Sequence, residues 1–390
     1  MRNQLIRVTK TTAKLKPEGA YAVLAKAQAL EAQGKKIIHL EIGQPDFPTP
    51  KPIARAAIAA IEKGLTKYNP PLGVMALRQA VVQKIKQTRK VKIKVNNVAI
   101  TPSTKAGIFI AMTAVIEPGD EVIYPDPGFP TYRALIDWLG AVPKPVPLLE
   151  TTGFSFDMRA FKKTVSKKTR LIIINSPSNP TGGIIPKKDL KKIAELSRCW
   201  ILSDEIYSKI LYDNQRHHSI ISLPGMKKRT ILLDGFSKSY SMTGWRLGYM
   251  VFPQEIEEKI DCLLTHSIGC SATFTQYAGI KALKSSNQSI LKMVKEFKQR
   301  RNFVVKALNE IPGVKCQNPT GAFYVFPNIK SFGKSSKWLA NYLLEKAGVA
   351  LLDGTSFGKH GEGYLRISYA TSMDQLKTGL EKIKQALAQL

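Results

Sequence analysis

The stretch Ser237-Lys238-Ser239-Tyr240-Ser241-Met242-Thr243-Gly244-Trp245-Arg246-Leu247-Gly248-Tyr249 decides the reading of this chain. The apolar run Ile231-Leu232-Leu233 leads through Gly235 and Phe236 into Ser237-Lys238, and a second apolar segment, Leu247 to Phe252, follows Arg246. The pattern predicts a lysine lodged between two buried strands. A surface position is the default for any single lysine, because buried ones are rare. A desolvated lysine, however, is a good amine nucleophile.

Outward from this stretch the chain keeps one rhythm. The strand Val98 to Thr101 runs into Pro102-Ser103-Thr104-Lys105, which opens a helix over Ala106 to Val115. Glu121 to Tyr124 ends in Pro125-Asp126-Pro127-Gly128-Phe129-Pro130-Thr131-Tyr132, and Leu171 to Ile174 ends in Asn175-Ser176-Pro177-Ser178-Asn179-Pro180-Thr181-Gly182. Trp200 to Leu202 ends in Ser203-Asp204-Glu205-Ile206-Tyr207. Near-continuous apolar strands with helical patterns between several of them predict a mainly parallel sheet covered on both faces. Polar clusters gather at the carboxyl ends of the strands, where open α/β sheets bind their ligands.

The flanks complete the plan. Residues 1–16 are polar and basic and read as an extended arm, followed by a helix from Glu18 to Gln33 and a strand from Ile37 to Ile42. Helices are expected over 51–64 and 74–90. After Gln254 the pattern turns mostly helical (254–266, 275–285, 288–311), with strands at Phe323 to Phe326, 349–352 and Tyr364 to Ser368, and helices at 335–347 and 372–389. The expected division is 1–47 as an N-terminal arm and part of a smaller α+β domain, 48–287 as the large domain, and 288–390 as the rest of the small one. The large sheet is expected to be of a seven-stranded type.

A formal charge of +30 could mark a nucleic-acid binder. The basic residues come instead as scattered pairs (Lys162-Lys163, Lys167-Lys168, Lys187-Lys188, Lys191-Lys192, Lys227-Lys228), without a basic tail or zinc finger. They read as solvated surface whose field favours anionic small molecules. Neither a signal peptide nor an apolar run of about 18 residues is present. The four cysteines lack metal-ligand spacing, so no metal is expected. A reduced, cytoplasmic protein is expected. His217 and His218, in a polar stretch without a partner pattern, read as surface residues. Gly354 to Lys359 is one residue short of a phosphate loop, and His360 stands where the hydroxyl is required.

An amine nucleophile finds its most economical partner in an aldehyde, and pyridoxal phosphate is the cofactor that offers one. Its phosphate needs amides, hydroxyls and an arginine, which Ser103, Thr104 and Arg246 supply. Asp204 can face the ring nitrogen, Asn179 and Tyr207 the phenolic oxygen, and Phe129 the ring face. Small hydroxyl residues at a helix start are equally explained as caps, and Asn179 or Tyr207 could simply brace their loops.

Taken together and in order, Gly43-Gln44-Pro45-Asp46-Phe47, Tyr68 with Gly73, Pro102-Ser103-Thr104-Lys105, Pro127-Gly128-Phe129-Pro130-Thr131-Tyr132, Asn179-Pro180-Thr181-Gly182, Asp204-Glu205-Ile206-Tyr207, the stretch around Lys238, and Tyr364-Leu365-Arg366-Ile367-Ser368 carry a resemblance over almost the whole chain. The chain resembles fold-type-I pyridoxal-phosphate aminotransferases of classes I and II, most closely their bacterial aspartate-aminotransferase-like branch. By that resemblance Lys238 holds the cofactor and carries the proton between the substrate α-carbon and cofactor C4′. Asp204 keeps the pyridine ring cationic, and Asn179 and Tyr207 stabilise its phenolate. Ser103, Thr104, the Lys105 amide, Arg246 and the lesser candidate Ser237 hold the phosphate. Tyr68 joins them from the neighbouring subunit of a homodimer. Arg366 grips the substrate α-carboxylate, helped by Gly43 and Asn179. Amino acids and 2-oxo acids are the implied substrates.

Lys105 matches a lysine that binds the distal carboxylate in the aspartate-specific branch. The hydroxyl residues that follow a Lys-Pro pair in that branch are replaced after Lys16-Pro17 by Glu18-Gly19-Ala20. Glu18 near Lys105 would neutralise it and suit uncharged or aromatic side chains. Aspartate with 2-oxoglutarate is the first expectation, and alanine, aromatic or other neutral amino acids the second. A carbon–sulfur lyase on the same fold is the third. A non-catalytic role would require a missing cofactor contact, and none is missing.

Overall fold

A computed structural model describes residues 8–390, so the expected arm lies outside the described residues over 1–7. The first strand, β1 (Ile38–His39), belongs to the C-terminal part of the molecule. The large sheet is built from β2 (Val98–Thr101), β3 (Glu121–Asp126), β4 (Val142–Leu149), β5 (Ser155–Phe156), β6 (Thr169–Asn175), β7 (Trp200–Asp204), β8 (Thr230–Gly235) and β9 (Gly248–Val251). Their spatial order is β2-β9-β8-β7-β6-β3-β4-β5. The run from β8 to β4 is parallel, while β9 and β5 are antiparallel to their neighbours.

The reason for the continuous apolar runs is visible in β6. Leu171 and Ile173 pack on one face with the helices Thr104–Val115 and Pro130–Trp138, while Ile172 and Ile174 pack on the other with Met158–Thr164 and Lys187–Leu196. Side chains alternate across a strand, so a sheet covered on both faces leaves no position for a polar residue until the strand ends. Helices Lys51–Glu62, Met75–Arg89 and Thr273–Lys284 cover the β2-β9-β8 end in the same way.

The sheet has eight strands, one more than the seven expected. β5 is an additional two-residue edge strand. β4 has no counterpart among the expected strands, and its Pro143, Pro145 and Pro147 share one period and hence one edge. The amide of Val142 donates toward the β3 side, to Asp120 O, and the Pro147 carbonyl faces the other way, accepting from Asp157 N. The missing proline N–H groups therefore fall on the edge that β5 covers only at Leu148 and Leu149.

In the C-terminal part, β10 (Tyr324–Val325), β11 (Val349–Ala350), β12 (Leu352–Asp353) and β13 (Leu365–Ser368) form two small sheets: β10-β13-β12, and β11 paired with β1. The helices Gln288–Asn309 and Met373–Leu387 pack over them, in a core that also takes Ile38, Leu40, Ile206, Tyr207 and Ile210. The end of β7 is thus pinned into both halves of the molecule. The expected helix 335–347 is a helix over Ser336–Tyr342 that widens into a π turn over Leu343–Ala347.

Candidate active site

Lys238 lies in the connection between β8 and β9, where the sequence placed it. Its Nζ donates to the carbonyl of Gly43 at 2.5 Å. Burial, then the positive charges of Arg366, Arg246 and Lys105, push this ammonium down to about 8. A Cβ at Gly43 would strike the Tyr324 hydroxyl, so only glycine lets this carbonyl approach.

Arg366, on β13, is buried. Its Nη2 donates to the Glu41 carbonyl and its Nη1 to Asn179 Oδ1 at 3.4 Å, while Nε is buried without a partner. The guanidinium lies over the rings of Tyr324 (4.7 Å) and Phe357 (5.2 Å), which hold its plane. Such a clamped, under-used guanidinium is ready for a carboxylate. Asn179 is buried, with its amide N–H on Asn175 Oδ1 at 2.9 Å. Tyr207 and Tyr324 share a hydrogen bond of 2.8 Å.

Asp204, the last residue of β7, is buried among neutral donors: Tyr132 Oη donates at 2.8 Å and the Ile206 amide at 3.2 Å. Burial raises its carboxyl to about 6 in spite of these bonds. Phe129 packs edge-on against Tyr132, with ring centroids 5.6 Å apart. Ser103 caps the helix Thr104–Val115 by accepting from the Ala106 amide at 3.2 Å, and holds a φ of 104°, rare for a non-glycine residue. Thr104 Oγ1 and Ser239 Oγ are buried without partners. Ser237 is buried beside them in sequence.

Three candidates are exposed. The Arg246 guanidinium is exposed, with φ at 52° and Nη1 donating to Thr243 O at 2.7 Å. Tyr68 is 96% exposed in the chain. Lys105 is exposed too, and its Nζ pairs with Glu18 Oε2 at 2.6 Å while lying 5.2 Å from the Phe129 ring centre.

One sequence reading is overturned. His217 is not a surface residue: its side chain is nearly buried, and Nε2 meets Glu205 Oε2 at 2.8 Å. Glu205 also accepts from Arg89 Nε (2.7 Å), Ser203 and Ser219, and Arg89 reaches Asp234 at 3.1 Å. Against the cost of burial, Arg89 and His217 hold Glu205 down at about 2. This network, Tyr132 and Tyr324 were not singled out from the sequence. Tyr132 was within reach, since it lies three positions after Phe129 at a helix start and so shares its face.

The comparisons bear on this arrangement directly. The family described as "Aminotransferase class I and II" matches residues 35–383. The chain belongs to the class I and II aminotransferases. It is 43% identical to an aspartate aminotransferase of Pyrococcus horikoshii over 356 residues, covering 90% of each chain. It is also 40% identical to aromatic-amino-acid aminotransferase 2 of Thermococcus litoralis over 363 residues, covering 91% of this chain and 93% of that one. The crystal structure of the aspartate aminotransferase from Rhizobium meliloti superposes with a TM-score of 0.94 at 31% identity, covering 98% of this chain and 99% of that one.

As an aminotransferase of this family, the protein is a pyridoxal-phosphate enzyme. Its residues fit the group. The buried Thr104 hydroxyl, at the start of the helix Thr104–Val115, has no partner and is free to meet a phosphate oxygen. The first amides of the helix Thr104–Val115 have no intrahelical partner. A Cβ at Gly248 would come within 2.6 Å of the Thr104 amide, and one at Gly235 within 2.9 Å of its Oγ1, so two glycines bring the strands against this cradle. No helix among the described residues is long and apolar enough to cross a membrane.

Proposed function

We propose that this aminotransferase exchanges the amino group between aspartate and 2-oxoglutarate. The observation that carries the reading is a pair of cations about Lys238. Arg366 is clamped for an α-carboxylate, and the Lys105 ammonium, 5.2 Å from the Phe129 ring centre, is a second cation whose charge reaches Lys238 and which could meet a distal carboxylate. The Pyrococcus horikoshii relative bears the name of that activity.

When bound, pyridoxal phosphate supplies an electron sink that weakens the substrate Cα–H bond. In the proposed division of labour, Lys238 would hold the cofactor and would serve as the base that moves the proton at the substrate Cα. Its lowered proton affinity suits both tasks. Asp204 would pair with the pyridine nitrogen. Tyr207 can donate to the phenolic oxygen because Tyr324 can donate to it in turn, and Asn179 keeps its Nδ2 for the same oxygen while its Oδ1 steadies Arg366. Ser103, Thr104, the Lys105 amide, Ser237 and Arg246 would hold the phosphate, and Phe129 would cover the ring.

A homodimer belongs to the same proposal. A tyrosine as exposed as Tyr68 fits a group offered to a second copy's phosphate site, and the exposed Arg246 fits a group covered on association. Four free cysteines fit a reducing, cytoplasmic setting. The proposed domain division, with 1–47 and 288–390 forming the smaller unit, is supported by the β1–β11 pairing.

The Glu18–Lys105 pair favours a second reading, transamination of neutral or aromatic amino acids, as the Thermococcus litoralis relative is named for. The test is a panel of amino acids with 2-oxoglutarate and pyruvate. Aspartate with 2-oxoglutarate should show the highest kcat/KM. A higher value for phenylalanine or alanine would install the second reading, and ammonia with pyruvate from cystathionine would indicate a lyase.

A further inference from the structure

Glu18 immediately precedes the helix Gly19–Glu31, a position where side chains commonly cap the first amides. It makes no such bond. Its carboxylate instead reaches Lys105, 87 positions on in the sequence. The helix start is held in place as well, since a Cβ on Gly19 would come within 2.6 Å of Ser356 Oγ. The carboxylate is therefore presented to Lys105 by packing, and its field extends to Lys238, Arg366 and Tyr324.

We propose that Glu18 is a specificity-determining residue that acts as a built-in, displaceable counter-ion for Lys105. With a neutral or aromatic substrate the pair stays closed, and the rings of Phe129 and Tyr21, 5.2 and 6.0 Å from the ammonium, offer the side chain an apolar wall. With a dicarboxylate the distal carboxylate takes the ammonium, because two carboxylates around one ammonium repel each other. Glu18 then has somewhere to go. It borders a cleft of ≈ 1060 Å³ lined by Lys14, Lys16 and Lys359 as well as by Asp126, Asp137 and Asp353, and which Lys238 and Arg366 do not line. One pocket thereby accepts two substrate classes, at the cost of weakening its grip on the charged one. This inference rests on the reading of Lys105 as the distal-carboxylate cation.

The test uses the holoenzyme and two ligands without an amino group, maleate and 3-phenylpropionate, with dissociation constants measured by calorimetry. In Glu18→Gln the ratio of the two constants should move roughly tenfold toward maleate, the size of one nearby charge after solvent screening. Glu18→Ser should move it in the same direction. Lys105→Met should weaken maleate by at least as much. If Lys105→Met leaves maleate unchanged, the reading of Lys105 falls and this inference with it. If Lys105→Met weakens maleate while both Glu18 variants leave the ratio where it was, or shift it toward 3-phenylpropionate, the counter-ion role alone is overturned.

Discussion

The most direct consequence of the site is that Lys238 carries an unusually available amine before any cofactor arrives. Its ammonium is pushed down to about 8 by burial and by the three cations Arg366, Arg246 and Lys105. An ordinary lysine titrates near 10.5. At pH 7 the neutral fraction is then about one in ten for Lys238 and roughly three in ten thousand for an ordinary lysine, a difference of about 300-fold. Trace reductive methylation of the cofactor-free protein, read peptide by peptide by mass spectrometry from pH 6 to 10, measures this fraction. Labelling of Lys238 should rise with pH and flatten above about pH 8, well below the range of an ordinary lysine. Arg366→Met removes the foremost of the cations, so the Lys238 midpoint should move upward, toward the ordinary value. A midpoint already at the ordinary value in the native chain, or one indifferent to Arg366→Met, would refute the electrostatic account.

Three further outcomes follow from the packing around the site. Arg89→Met leaves Glu205 and Asp234 buried without their guanidinium, a change that costs about 3–5 kcal/mol. With an unfolding entropy of roughly 2 cal/mol/K per residue, that lowers Tm by about 4–6 °C in calorimetry, and a shift under about 1 °C would contradict it. Because the Glu205 carboxyl is held below its ordinary 4.5, its stabilisation is complete above that pH and is lost as pH falls through about 2. Glu205→Gln should accordingly flatten the acid limb of the unfolding curve in that window. Gly43→Ala places a methyl against the Tyr324 hydroxyl and should reduce kcat/KM by about 10- to 100-fold. Gly43→Ala combined with Tyr324→Phe, which removes the obstructing oxygen, should regain part of that loss.

How much of this was legible before the structure depends on what each residue's partner is. Lys238, Asp204 and Asn179 stand out as candidates because each follows an apolar strand, and polar residues at a strand's carboxyl end are where open α/β sheets bind ligands. Tyr324 could not, because it sits in an apolar strand and reads as core. Only the fold sets its hydroxyl against Tyr207 and its ring under Arg366. His217 was misread for the same reason, since no local pattern ties it to Glu205, twelve positions earlier. The strand β4 failed differently. Its prolines, each unfavourable inside a strand, hide the pattern, although their common spacing of two is the sign of an edge. Glu18 is the opposite case, a departure from the family's pattern that placed a carboxylate beside Lys105, where the structure pairs them.

The two neighbouring carboxylates at the end of β7 show how one strand serves both the fold and the chemistry. Asp204 is raised to about 6 and Glu205 is lowered to about 2, although both are buried and adjacent. Consecutive side chains leave a strand on opposite faces. One face offers Asp204 only a tyrosine hydroxyl and an amide, whereas the other gives Glu205 an arginine and a histidine. Had Arg89 faced Asp204, the pair would be satisfied and the carboxylate would have little to gain from a protonated pyridine nitrogen. By giving the structural cation to Glu205, the chain keeps Asp204 buried and without a cationic partner of its own. The same alternation that built the sheet's two cores thus leaves one carboxylate whose missing counter-charge the cofactor itself can supply.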